Sequence, residues 1–224
     1  MIAMNSWLNV ADPVSHLVTW TLVSGILMLG ARRMETLIRL FAGQSLFLIL
    51  ITLAQATGHQ GSPTVWLLAG VAFAIKCLVI PLGLFHVFRR LEIRSQLQAY
   101  IQPSSLMLLG GLALLLVHWL SYRISLTGLV LPLQLFSCGL SLVLFGFLLM
   151  LARKKAMTQL IGLYMLDNGI FALAVALVFE MPLMLEMGIF LELLLGAMVM
   201  GLMIFRIRQA FDSIDVSHLQ QLKG

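Results

Sequence analysis

The sequence predicts an all-α integral membrane protein of about seven transmembrane helices. Helices 1–3 and 5–7 form two parallel three-helix blocks joined by helix 4, with the N-terminus outside and the C-terminus cytoplasmic. Three observations predict this. Hydrophobic residues make up 61% of the 224 and charged residues only 10%, with a mean hydropathy of +1.03, against roughly 45–50% and about a quarter in soluble domains. The apolar residues fall into runs long enough to cross a ~30 Å hydrocarbon layer. The basic residues, finally, collect in short clusters that end those runs.

In order, the helices are expected at 13–31, 36–57, 64–88, 104–122, 126–151, 156–179 and 183–206, from length and apolarity. TGHQGSP at 57–63 reads as a turn from its Gly, Ser and Pro, and EMP at 180–182 as a tight one. EIRSQLQAYIQP at 92–103 is the longest polar stretch and the natural linker. The chain thus divides into a first membrane block (1–91), a linker with connecting helix 4 (92–125), a second block (126–208) and a tail (209–224). The first apolar run has no basic residue before it, so a cleaved signal peptide is not expected.

Orientation follows from charge. Arg32/Arg33, Arg89/Arg90/Arg94, Arg153/Lys154/Lys155, Arg206/Arg208 and Lys223 fall on one side, eleven of the fourteen Lys and Arg, leaving Arg123 on the other. The positive-inside rule makes that side cytoplasmic. The net charge of +5 is therefore a topology signal, not a nucleic-acid footprint. Cys77 and Cys138 lie inside apolar runs and form no CxxC pair, so no metal or cofactor is expected in this chain.

RLFAGQSLFL (39–48) aligns with GLYMLDNGIFA (162–172), placing Gln44 opposite Asn168 and Phe47 opposite Phe171. Each segment follows a basic turn, ARR or ARKK, and each block's third helix closes in FRR or FRIR. This is the pattern of a parallel internal repeat.

The charges inside the spans carry the functional signal. An ionisable group at mid-bilayer costs roughly 2.5–3.5 kcal/mol on insertion scales, so such groups pair, face the bundle interior or line a water path. Lys76 stands 13 residues before Arg89, Asp167 12 after Lys155 and Glu192 14 before Arg206. At 1.5 Å per residue all three lie about 18–21 Å from the basic helix ends, near the midplane. Within the repeat Lys76 and Glu192 fall within one position of each other, with opposite sign. Linked by water, such groups can pass protons, so Asp167, Glu192 and Lys76 are the candidate relay. Tyr164, one turn before Asp167 on the same face, could extend it by its hydroxyl. Asn168, Glu186 and His118 are secondary candidates; an interfacial place explains Glu186, and a solvated or hydrogen-bonded histidine explains His118 and His86. Pro81 removes the helical partner of the Cys77 carbonyl beside Lys76, and Gly169 lets a neighbour or water approach. The competing reading is that the charged trio only pins helix packing. Arg39 is read as structural, snorkelling to the interface.

ARKKAMTQLIGLYMLDNGIFALAVALV (152–178) and FRIRQAFDSIDVSHLQQLKG (205–224) resemble two families. LIGL (160–163) and SIDVSHLQQLKG (213–224) are similar to the three-helix K subunit of respiratory complex I. The longer resemblance, across essentially the whole chain, is to the hydrogenase-4 component E family of NiFe-hydrogenase and formate hydrogenlyase complexes. It rests on length, AGQSL (42–46), AIKCLVIPL (74–82), DNG (167–169) and the tail. It implies a non-catalytic subunit of a proton-translocating assembly in a bacterial or archaeal inner membrane. The implied partners are antiporter-like membrane subunits, the membrane anchor of a hydrophilic redox arm, lipid and, indirectly, the hydrogenase large and small subunits. The NiFe centre and iron–sulfur clusters would belong to those partners. In these families acids on the helices matching 6 and 7 belong to a polar axis, and Asp167 and Glu192 occupy those places. The complex I subunit carries its acid directly after LIGL, where this chain has Tyr164. The alternatives are a subunit of a multi-subunit cation/proton antiporter and a purely structural membrane adaptor. A retinal-type seven-helix protein is disfavoured, because the buried lysine is on helix 3.

Overall fold

The computed structural model describes residues 13–58, 70, 73–90, 100–125, 132–154 and 156–177. They form helices α1 (Pro13–Gly30), α2 (Met34–Gly58), a π-helical segment (Ala74–Val79) continuing into α3 (Ile80–Arg90), α4 (Pro103–Ser125), α5 (Leu133–Ala152) and α6 (Ala156–Leu177). Five of these, α1, α2, α4, α5 and α6, are long and apolar enough to cross a membrane, and Ala74–Phe85 is a shorter apolar stretch. The expected seventh helix and the tail lie outside the described residues, as do the TGHQGSP and EMP turns and most of the 92–103 linker.

The expected start of helix 5 at 126 is corrected. Pro132 is non-helical, with φ −69° and ψ 76°, and the helix begins after it. A proline has no N–H to give to the helical ladder, so the start of a helix is where it is best tolerated.

α1 and α2 form an antiparallel hairpin, as do α5 and α6, and α1 also packs on α5 and α4. α4 packs on α5, while α2 touches α6, the π-helical segment and α3. The turns Ala31–Arg33 and Arg153–Lys154 lie at one end of the bundle, and Tyr100 N–H donates to the Ala152 carbonyl there (2.8 Å). This is the basic end.

Arg153 departs from a solvated topology charge. It is fully buried, and its guanidinium donates to the carbonyls of Ala31 (2.7 Å) and Leu29 (3.3 Å). Those carbonyls belong to the unsatisfied C-terminal turn of α1, where a cation also meets the negative end of the helix dipole. Burial pushes the Arg153 guanidinium below its ordinary range. Gln159 Nε2 in turn donates to the Arg153 carbonyl (3.0 Å), so one residue ties the α1 end to the α5–α6 turn. Arg39, by contrast, is exposed and at most weakly paired with Glu35 (4.0 Å), as a snorkelling residue should be.

Among the described residues α5 and α6 make the most extensive helix contact, and both present glycine at seven-residue spacing. Cβ atoms added at Gly139 and Gly146 would stand 2.7 and 2.6 Å from the backbone nitrogens of Leu173 and Leu166. At Gly169 one would stand 2.6 Å from Val143 N, and at Gly162 one would press on Met150. Backbones approach this closely only without side chains between them. In a bilayer, where lipid is as apolar as leucine, such contact is what drives helix pairing.

Candidate functional site

Gly162, Leu166, Gly169 and Leu173 form the seam of α6 against α5. At helical periodicity the neighbouring stripe is Tyr164, Asp167, Asn168 and Phe171. The seam therefore turns that stripe toward α2 and the π-helical segment. The sequence put Asp167 on a helix; the α5 contact decides which way it faces.

Lys76 arrives from the other side, and its approach has a local cause. Pro81 has no N–H and its ring crowds the carbonyl four residues back. The turn before it opens, and Ile80 N–H bonds the Ile75 carbonyl five residues back. Such π-turns insert one extra residue per turn and recur at functional sites. Within this one Lys76 is buried, only 1% exposed, while Leu78 and Val79 are exposed.

Lys76 Nζ lies 3.1 Å from Asp167 Oδ2 and donates to Asn168 Oδ1, also at 3.1 Å. It stands 4.6 Å from the centroid of the Phe171 ring, a cation–π contact. Three members of the α6 stripe thus converge on one ammonium. Asn168, fully buried, passes the pattern on: its Nδ2 donates to Ser45 Oγ (3.0 Å) and Gln44 Oε1 (3.3 Å). Gln44 Nε2 approaches the Thr21 carbonyl of α1 (3.5 Å). Ser45 Oγ also lies within donating distance of Asn168 Oδ1 (3.5 Å), while along Lys76–Asn168–Gln44–Thr21 each donor points away from Lys76, so that chain runs head to tail and the ammonium polarises it. Gln44 and Asn168, which the internal repeat equates, touch each other.

Several expectations change. Asn168 is central, not secondary. Gly169 admits the α5 backbone, where the sequence left a neighbour and water both open. Tyr164 is buried with its ring 5.5 Å from that of Phe41, and among the described residues it makes no hydrogen bond to Lys76 or Asp167. Its ring is tilted by 35° against that of Phe41 on α2. His118 lies elsewhere, exposed on α4 toward the end opposite the basic turns. Glu192 and Glu186 lie outside the described residues, as does the side chain of His86. Among the described residues no group of three or more His, Cys, Asp or Glu could hold a metal ion.

Sequence reasoning did not single out Ser45 or the Thr21 carbonyl, and Gln44 entered only through the repeat. A signal for both side chains existed: Gln44 and Ser45 are adjacent polar residues in an apolar span.

The chain is similar to an uncharacterised protein of Mycobacterium tuberculosis, 28% identical over 207 residues covering 90% of this chain and 91% of that one. It is similar to hydrogenase-4 component E of Escherichia coli strain K12, 24% identical over 214 residues, 94% of this chain and 97% of the relative. The Shigella flexneri protein of the same name matches to the same extent. No protein-family model and no solved structure matches the chain. With five helices of membrane-spanning length among the described residues and a match over nearly all of its length, the chain is a multi-pass membrane homologue of hydrogenase-4 component E.

Proposed function

We propose that this chain is a non-catalytic membrane subunit of a complex I-like, proton-translocating NiFe-hydrogenase complex of the formate hydrogenlyase type, and that Lys76 and Asp167 are its mid-membrane proton-exchanging pair. The observation that carries this reading is the 3.1 Å Lys76–Asp167 contact inside a polar network between apolar helices. The relatives' name is that of a component of a hydrogenase, which supports a place in a multi-subunit assembly and not an enzyme by itself. Antiporter-like subunits and the anchor of a redox arm are the proposed neighbours, with the basic turns on the cytoplasmic side.

Chemically, a carboxylate and an ammonium in contact can share or exchange one proton, and a low-dielectric surrounding brings the neutral and ionic forms closer in energy. The amides of Asn168 and Gln44 do not release protons at neutral pH. Their part is to orient the ammonium and hold it against Asp167. Glu192, at the matching depth on the expected seventh helix, is the proposed next station.

The same contact also fits a second reading, in which the pair only pins the π-helical segment to α6. Buried ion pairs often serve packing without transport. Asp167→Asn separates the two. The variant complex is expected to assemble while coupled turnover slows, seen as a lower proton-to-electron ratio in reconstituted vesicles. An unchanged ratio in a fully assembled complex would leave only the pinning role.

A further inference from the structure

The surroundings of the Lys76 ammonium are those of a bound cation. Its Nζ meets Asp167 Oδ2 and Asn168 Oδ1, each at 3.1 Å, and the Phe171 ring at 4.6 Å from the centroid. A carboxylate oxygen and an amide oxygen are ligands that hard cations take, and the quadrupole of an aromatic face attracts a cation of any origin. The amide is held in the matching orientation. Asn168 Nδ2 donates to Ser45 Oγ (3.0 Å) and Gln44 Oε1 (3.3 Å), so that Oδ1 is the atom turned to Lys76.

Charge fixes the valence. One carboxylate faces one ammonium, and among the described residues no group of three or more His, Cys, Asp or Glu could hold a metal ion. A single positive charge leaves the seat neutral, whereas a double one would leave buried charge uncompensated. Gln44, Ser45 and Asn168 are all fully buried, which keeps the oxygens in place. Asp167 leaves 13% of its side chain exposed, so the seat has an open rim. Lysine carries its charge as a compact point on a four-carbon stem. Tethered in this way, the ammonium competes at an effective concentration set by the stem, while a free ion competes only at the concentration of the medium.

We propose that Lys76 is a built-in monovalent cation, filling an alkali-ion seat made by Asp167, Asn168 and Phe171 and keeping sodium and potassium out of it. Lys76 is thereby the specificity-determining residue that reserves the pair for protons. That selectivity rests on the relay reading; the seat itself does not.

The test removes the tethered ion and offers a free one. Lys76→Ala keeps the oxygens and opens the space, and Lys76→Met fills the space with an apolar chain of like length. Lys76→Ala/Asp167→Asn opens the space without the charge. Each full-length chain is unfolded thermally in mild detergent in sodium, potassium or choline chloride at equal ionic strength, and bound radioactive sodium is counted. With alkali ion at a hundredfold excess over its dissociation constant, the Lys76→Ala midpoint is expected to rise about 5 °C or more above that in choline, by mass action. Lys76→Met and the double variant are expected to gain nothing over choline and to bind no sodium. Absence of both the gain and the bound sodium in Lys76→Ala would overturn the seat. An equal gain in the double variant would be a general salt effect and would overturn it too. Selectivity is read on the wild-type complex in vesicles, which requires no variant to fold. Its proton-to-electron ratio is expected to be the same when choline replaces sodium and potassium, and a ratio that needs either ion would overturn the exclusion. The relay reading fails by a different measure, an Asp167→Asn coupling ratio equal to that of the wild type.

Discussion

Residues 168 and 169 are neighbours in sequence and belong to opposite worlds. Gly169 lies in the α5–α6 seam, where two backbones meet without side chains between them. Asn168 lies in the cluster between α2, α6 and the π-helical segment, where polar side chains reach across a gap to one another. The seam obtains its strength from dispersion and weak backbone contacts summed over four glycines. It tolerates no added atom. The cluster obtains its order from a few directed bonds whose loss leaves a buried charge or amide without a partner. One helix can serve both because the two faces are a residue apart, about 100° around the axis. The comparison teaches that the seam is the fixed wall against which the cluster's geometry is set.

If that is so, the largest effect comes from breaking the wall. Gly146→Leu would drive a side chain into Leu166 and the Gly162 carbonyl. Overpacking costs about 1–3 kcal/mol where neighbours can shift; here the obstacle is backbone. Folded protein should not be recovered in mild detergent. A normal thermal unfolding curve for this variant would show that the seam is not the wall.

Next in size is the cluster. Lys76→Met strands the Asp167 carboxylate and leaves Asn168 without its charged donor. Removing one partner of a buried pair typically costs about 3–5 kcal/mol. The unfolding midpoint should fall sharply, and the double variant Lys76→Met/Asp167→Leu should recover much of the loss, since two apolar residues leave no charge to satisfy. If the double variant is no more stable than Lys76→Met, the pair is not a unit. The coupling ratio should stay low in the double variant even where stability returns, which separates transport from packing.

The smallest effect sharpens the contrast between glycines. An added Cβ at Gly111 on α4 meets nothing within 4 Å. Gly111→Ala should therefore be neutral or stabilise by up to about 1 kcal/mol through helix propensity. A marked drop in unfolding temperature would mean that α4 packs more closely there than its open surroundings indicate.

Much of the site was legible before any coordinates. Lys76 and Asp167 stood out as charges that a membrane excludes without a reason, and counting from the basic ends put them at one depth. Tyr164 shows where spacing stops: three residues before Asp167 it shares that face, but spacing does not say what a hydroxyl reaches, and the ring packs on Phe41. Pro81 was read correctly as a break in the ladder, while the π-turn that answers the break depends on how the whole segment repacks.

By itself, the sequence determined that this is a multi-span membrane protein, where its basic ends lie, which helices carry charge and at what depth. Those follow from local rules: the cost of burying polar groups in hydrocarbon, the rise per residue and the bias of Lys and Arg. Only the tertiary structure decided which charge meets which. A helix has one free rotation about its axis, and nothing local to α6 selects it. The glycine seam against α5 selects it, and with that rotation Asp167 and Asn168 are turned onto Lys76, Gln44 and Ser45.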